Sequence, residues 1–282
     1  MKLTAGILGS LAGAAAVMAA VMYKTANGSH LKTHTFTLDK MKGMKPLTIF
    51  FISDVHRRLI DEKLLREASV YKPDAVLLGG DLAEGGVPYA RIEENIKRLT
   101  ALAPVIYVWG NNDYEVSQQK LLSLFQAYKV IPLRNVSVQF AYKGETVTIC
   151  GVDDIRMMMD DYESAIRHTD ENKVNLLLCH NPDIHEQMNE SDGIDAVFSG
   201  HTHGGQIRFG RFGPYELGGT GTVKKAHYLI SNGYGTTKVP LRLGAKPETH
   251  IITLCGPSRF PETNPAEAIK NGILLVFPLY TV

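Results

Sequence analysis

Five apolar runs, far apart along the chain, each stop at an Asp, Asn or His, and this repeated ending constrains the fold more than any other feature. The run 49–52 leads into Ser53-Asp54-Val55-His56, 75–78 into Gly79-Gly80-Asp81, and 105–109 into Gly110-Asn111-Asn112-Asp113. The run 176–179 leads into His180, and 196–198 into Ser199-Gly200-His201-Thr202-His203-Gly204-Gly205. One polar residue after a strand is ordinarily a cap. Five together predict an α/β sheet that gathers ligands at one site along the carboxyl ends of its strands. In the last of them, small residues around a turn let two imidazoles converge.

Helical patterns at 61–71, 89–102 and 115–128 alternate with these runs, which predicts parallel strands covered by helices. Pro88 and Pro104 punctuate the second helix. After Pro132 the alternation at 136–140 and 146–150, around Lys143-Gly144, predicts an antiparallel hairpin. Helical patterns return at 161–168 and 183–188, and 206–209, 227–230 and 249–254 read as strands.

Asp54-X-His56, Gly80-Asp81, Gly110-Asn111, His180 and Gly200-His201-X-His203 resemble, in order, the motif set of the calcineurin-like metallophosphoesterases, over residues 47–255. The resemblance implies an α/β fold in which two mixed sheets form a sandwich flanked by helices. It implies a metal-dependent phosphoric ester hydrolase, cleaving phosphoester or phosphoanhydride bonds by attack of metal-bound hydroxide. Asp54, His56, Asp81 and His203 would hold one ion, and Asp81, Asn111, His180 and His201 the other. Asp81 would bridge the two, and Asp81, Asn111 and His201 would act in catalysis. A mixed nitrogen and oxygen set suits two divalent ions such as Mn, Fe or Zn better than Ca.

Asn112 departs from the family pattern, which commonly has a histidine there to protonate the leaving group. General acid catalysis is worth about 10² to 10⁴-fold, so its loss weighs most on alkoxide leaving groups. The alternative reading is a non-catalytic metal-binding scaffold or sensor. Arg57 and Arg58 are candidates to meet a substrate phosphate, and Asp113 either orients a ligand or caps a helix. Gly233-Tyr234-Gly235-Thr236 and Pro240-Leu241-Arg242 resemble a segment of the membrane-associated bacterial branch, and read physically as a Gly-rich loop turning the chain near the site. His30, His34, His168, His185, His227 and His250 match no ligand position.

A net charge of +1 with 21% charged residues offers no broad basic field, so nucleic acid is not expected as a partner; the resemblance implies a phosphorylated small-molecule or lipid-linked substrate. Cys150, Cys179 and Cys255 are odd in number and follow apolar runs, as buried free thiols do. Residues 5–23 carry no charge and are long enough to span a bilayer. An uncleaved single-pass anchor in the cell membrane is favoured over a cleaved signal peptide, with the side of the catalytic domain open. The expected division is an anchor or signal segment at 1–24, a linker at 25–46, the catalytic domain at 47–255 and a tail at 256–282. The tail is Pro-rich and then apolar at 273–280, too short to span a membrane.

Overall fold

The computed structural model describes residues 2–257, with side chains from residue 10. The elements in chain order are α1 (Lys2–Ala26), β1 (Leu31–Thr37), β2 (Leu47–Ile52), α2 (Glu62–Ser69), β3 (Ala75–Gly79), α3 (Tyr89–Thr100), β4 (Val105–Val108) and α4 (Gln118–Tyr128). There follow β5 (Ile131–Leu133), β6 (Val136–Tyr142), β7 (Glu145–Val152), α5 (Tyr162–Ile166), β8 (Asn175–Cys179), β9 (Ala196–Ser199), β10 (Gly219–Val223), β11 (Ala226–Ile230) and β12 (Thr249–Cys255). They build two six-stranded sheets, ordered β1-β12-β2-β3-β4-β5 and β10-β11-β9-β8-β7-β6. Both are mixed: β2, β3, β4 and β5 run parallel while β12 opposes β2, and β7, β8, β9 and β11 run parallel while β6 and β10 oppose their neighbours.

The continuous apolar runs follow from burial on both faces. Phe51, Leu77, Val108, Leu178 and Phe198 point into the layer between the sheets. Their alternates Phe50, Ile52, Leu78 and Tyr107 meet α2, α3 and α4 on the outer face of the first sheet, and Leu177, Cys179 and Val197 meet α5 on the outer face of the second. The parallel strands β2, β3 and β4 lie side by side in one sheet, as β8 and β9 do in the other. Their carboxyl ends therefore present all five polar endings along the top of the sandwich.

Residues 25–46 hold β1 and a short 3-10 turn rather than a linker. β1 pairs in parallel with β12, and Phe36, Leu38 and Met41 are buried in the inter-sheet core. The expected strand at 206–209 is not one: Ile207 makes only isolated bridges, to Leu243 and Gly244. The segment 183–188 forms a 3-10 turn at Pro182–Glu186. Cys150, Cys179 and Cys255 are free. The apolar stretch 273–280 lies outside the described residues.

The expected membrane anchor is overturned, because no helix among the described residues is long and apolar enough to cross a membrane. α1 is helical, but alanine and glycine dominate its sequence, and such small side chains gain little by leaving water. Its end also belongs to the folded domain: Ala26 is buried, and Met22 O accepts from Arg242 N at 3.1 Å.

His250 on β12 is buried, with Nδ1 at 3.1 Å from His34 Nε2 and Nε2 at 2.9 Å from Ser231 Oγ. Burial, then the nearby His34 and Lys32, hold it well below the usual imidazole value. In the unfolded chain it protonates below about pH 6.5 while the native ring stays neutral, so stability falls as pH drops through that point. The slope approaches about 1.4 kcal/mol per pH unit well below that point. Urea unfolding between pH 6.5 and 5.5 checks this: the unfolded ring is already half protonated at the start, so His250→Gln is expected to lose about 1 kcal/mol less than the wild type over that unit.

Candidate metal centre

The seven expected residues meet at the top of the sandwich. His56 Nε2 lies 3.1 Å from His203 Nε2 and 3.6 Å from Asp81 Oδ2. His180 Nε2 lies 3.3 Å from the same Asp81 oxygen and 3.1 Å from His201 Nδ1. Asp54 Oδ1 lies 3.4 Å from His203 Nε2 and accepts from His201 N at 3.1 Å. Asn111 lines the same cavity as Asp81, His201 and His203.

The turns that deliver these side chains are tight. Asp54, His56, Asp81, His201 and His203 all sit at positive φ, between 50° and 68°. Such backbone costs on the order of 1–3 kcal/mol per residue and persists where the surroundings over-determine it. Glycines make the crowding possible: a Cβ on Gly80, itself at φ +82°, would stand 2.7 Å from His180 Nδ1, and one on Gly110 would collide with the Asp81 carboxylate.

Two groups of buried ligand atoms each fall within 4.8 Å of one another, Asp54 with His56 and His203, and Asp54 with Asp81 and His180. Asp54 is common to both, while Asp81 Oδ2 stands between His56 and His180. The donor set fits divalent cations on two further counts. Asn111 Oδ1 is buried with no hydrogen-bond partner, although a buried amide oxygen is costly to leave unpaired. And two pairs of imidazole nitrogens face each other at 3.1 Å, lone pair toward lone pair unless one ring carries a proton.

The electrostatics divide each pair. Burial alone would lower His56 and His180, but Glu84, Asp81 and Asp54 raise the former, and Asp81, Asp54 and Asp154 raise the latter. Burial and the neighbouring cation push their partners down, His201 to about 4 and His203 well below the usual range. Asp81 is held below the usual carboxylate value because His180 and His56 outweigh its burial. Asp113 is pushed up to about 7 by burial and by the Asp81 charge.

Asp113 is neither a ligand nor a simple cap. Its carboxylate accepts from Asp81 N at 2.7 Å, Ala83 N at 2.8 Å and Gly110 N at 3.0 Å, tying two of the turns together. Asn112 N donates to Asp81 Oδ1 at 2.8 Å, and its side-chain oxygen accepts from Asn111 Nδ2 at 2.7 Å, which leaves Asn111 Oδ1 free.

Three residues of the site are given no role by the sequence, and one of them, Glu84, stands in no motif at all. Glu84 is buried, with Oε2 at 2.9 Å from His56 Nδ1, though off the ideal hydrogen-bond direction, and it also pairs with Arg57. Ser53 Oγ donates to Asp54 Oδ2 at 2.6 Å. Arg242 is fully buried, with Nη2 at 3.0 Å from His203 Nδ1. No spacing in the sequence marks them, since each acts through another residue. Arg57 and Arg58 are not in the metal cavity: Arg57 pairs with Glu84, and Arg58 donates to the carbonyls of Asn27, Gly28 and Tyr234.

A model of the calcineurin-like phosphoesterase family matches residues 47–205. Bacillus subtilis YpbG, an uncharacterized protein, is 69% identical over 258 residues, covering 91% of this chain and 100% of its own. The uncharacterized metallophosphoesterase YkoQ of Bacillus subtilis is 29% identical, covering 80% of this chain and 92% of its own. Phosphodiesterase YaeI of Escherichia coli is 28% identical, covering 74% and 82%. The matched residues carry all five of the polar strand ends described above, and the side chains gathered there suit divalent metal ions. The chain therefore belongs to the calcineurin-like phosphoesterase family and is a metal-dependent phosphoric ester hydrolase.

Proposed function

We propose that the chain hydrolyses phosphodiester or phosphoanhydride bonds in small phosphorylated molecules, using two divalent ions of the Mn, Fe or Zn type. Asp54, His56, Asp81 and His203 would hold one ion, and Asp81, Asn111, His180 and His201 the other. The observation that carries this reading is the pair of buried ligand groups joined through Asp54 and Asp81. Two such ions supply a nucleophile at neutral pH and neutralise charge on the phosphoryl oxygens.

The chain's own residues prepare the site. His180 Nδ1 lies 2.8 Å from Gly79 O, which keeps that nitrogen protonated and turns Nε2 toward Asp81. Glu84 Oε2, 2.9 Å from His56 Nδ1, favours a proton on that nitrogen through its charge. The cavity over the site, about 550 Å³, is lined at its mouth by Arg156, Tyr215 and Lys238, so its cations draw anionic substrates inward.

Asn112 carries no proton to give a leaving group, and its amide is spent on Asn111 and Glu115. The favoured substrates are therefore phosphoanhydrides and esters of acidic alcohols. The experiment compares an aryl with an alkyl phosphodiester in the presence of Mn. Asn112→His is expected to raise the alkyl rate about 10²-fold and to leave the aryl rate nearly unchanged. No gain on the alkyl diester would sink the leaving-group reading.

A further inference from the structure

A second cavity, of about 820 Å³, lies between the end of α1, the loop after β2, α2, α3 and the segment 234–240. Its size is that of a small-molecule site rather than of a surface dimple. Arg57, Arg58, Arg66, Arg91, Arg98 and Lys238 line it, against the two carboxylates of Asp61 and Glu62.

Some of this charge is already matched. Arg57 pairs with Glu84, Arg98 with Glu94 at 2.8 Å and with Glu62 at 3.3 Å, and Arg66 with Glu62 at 3.6 Å. Asp61 is occupied as a helix cap, accepting from Lys63 N at 2.8 Å. The other three cations are different. Among the described residues no carboxylate lies within ion-pair distance of Arg58, Arg91 or Lys238. Arg58 is held by three carbonyls and lies 3.8 Å over the Tyr234 ring, and Arg91 donates to Arg57 O at 2.8 Å. Carbonyls fix a guanidinium in place without neutralising it, and an N–H does not neutralise Asp61 either, so the fold holds three cations without an ion-pair partner around one concave space against the single unpaired carboxylate of Asp61.

The cavity is separated from the metal site by one strap. Thr236 and Pro240 face the basic cavity, Thr237 and Val239 face the metal cavity, and Lys238 borders both. Gln206 pins this partition from the metal side, donating to Thr237 O at 3.1 Å and Val239 O at 3.2 Å and accepting from Thr237 N at 2.9 Å.

We propose that the basic cavity is a second ligand site, distinct from the metal centre, which takes a small organic diphosphate. Its phosphates meet Arg58, Arg91 and Lys238, since guanidinium groups match phosphate oxygens in pairs. Its organic part lies on Tyr23 and Leu59, which are 56% and 43% exposed on the cavity wall.

Calorimetry with ADP on the full chain in excess EDTA tests this without any contribution from bound metal, so the outcome is independent of the hydrolase reading. Wild type and Asp81→Ala are expected to bind ADP at one site with equal affinity. Arg91→Ala, which alters one exposed side chain that does not line the metal cavity, is expected to bind at least about tenfold more weakly, as loss of a charge-assisted contact implies. Unchanged affinity in Arg91→Ala would overturn the proposal, as would loss of binding in Asp81→Ala or no heat from the wild type at millimolar ADP.

Discussion

Asp81→Ala is expected to lower Mn-supported hydrolysis of an aryl phosphodiester by at least about 10³-fold, a loss of about 4 kcal/mol in transition-state stabilisation. The size of the effect follows from the position of one carboxylate. Its Oδ2 stands 3.6 Å from His56 Nε2 and 3.3 Å from His180 Nε2, and its Oδ1 accepts from Asn112 N at 2.8 Å. Alanine removes the oxygen that joins the two halves of the ligand set and also releases the turn that aims Asn111. The measurement is kcat/KM with added Mn, alongside the melting temperature of the metal-free protein. Equal rates in wild type and variant would replace the catalytic reading with the non-catalytic scaffold that Asn112 brings to mind.

The ligand set was legible because ligands are delivered by strand ends. A buried strand announces itself as an apolar run, and the first polar residues after it have only one place to go. Asp54, His56, Asp81, Asn111, His180, His201 and His203 therefore emerged from order and spacing, and they share one corner of the structure. The roles of Glu84, Ser53 and Arg242 did not, because Glu84 and Arg242 work by touching a ligand in another turn, and the rotamer that turns the Ser53 hydroxyl onto its neighbour Asp54 is set by the tertiary fold. Residues 25–46 looked like a linker because Lys32, Lys40, Lys42 and Lys45 mask the buried Phe36, Leu38 and Met41, and because β1 draws its partner from the far end of the domain at β12. The run 206–209 alternates like a strand, yet Gln206 is held at φ +50° and its side chain serves the strap at 237–239. Arginines 57 and 58 follow a ligand in sequence but point away from the metal cavity, a direction that the turn at His56 sets and spacing does not reveal.

Arg242→Met is expected to destabilise the metal-free protein by about 3–5 kcal/mol, which lowers its melting temperature by on the order of 10 °C. Arg242 is the largest polar side chain among the fully buried ones, and its guanidinium replaces water for a whole group of carbonyls. It donates to Gly235 O at 2.6 Å, Asn232 O at 2.7 Å, His203 O at 3.2 Å and Ala245 O at 3.3 Å. These carbonyls belong to the turn after β9 and to the loop after β11, so one side chain joins the His203 turn to the Gly-rich loop. Burial pushes its pKa down to about 10, with Asp54 and Glu248 opposing the shift, and it remains charged at neutral pH. Methionine of similar length fills the space but leaves the carbonyls unpaired and Asp54 without that counter-charge, the costly way to break a buried polar group. Arg242→Lys keeps the charge but loses the planar fork, so it is expected to recover part of the stability and not all of it. A melting temperature unchanged in Arg242→Met would mean that the two loops hold His203 in place without the arginine, and that the burial of this cation has some cause other than the carbonyls around it.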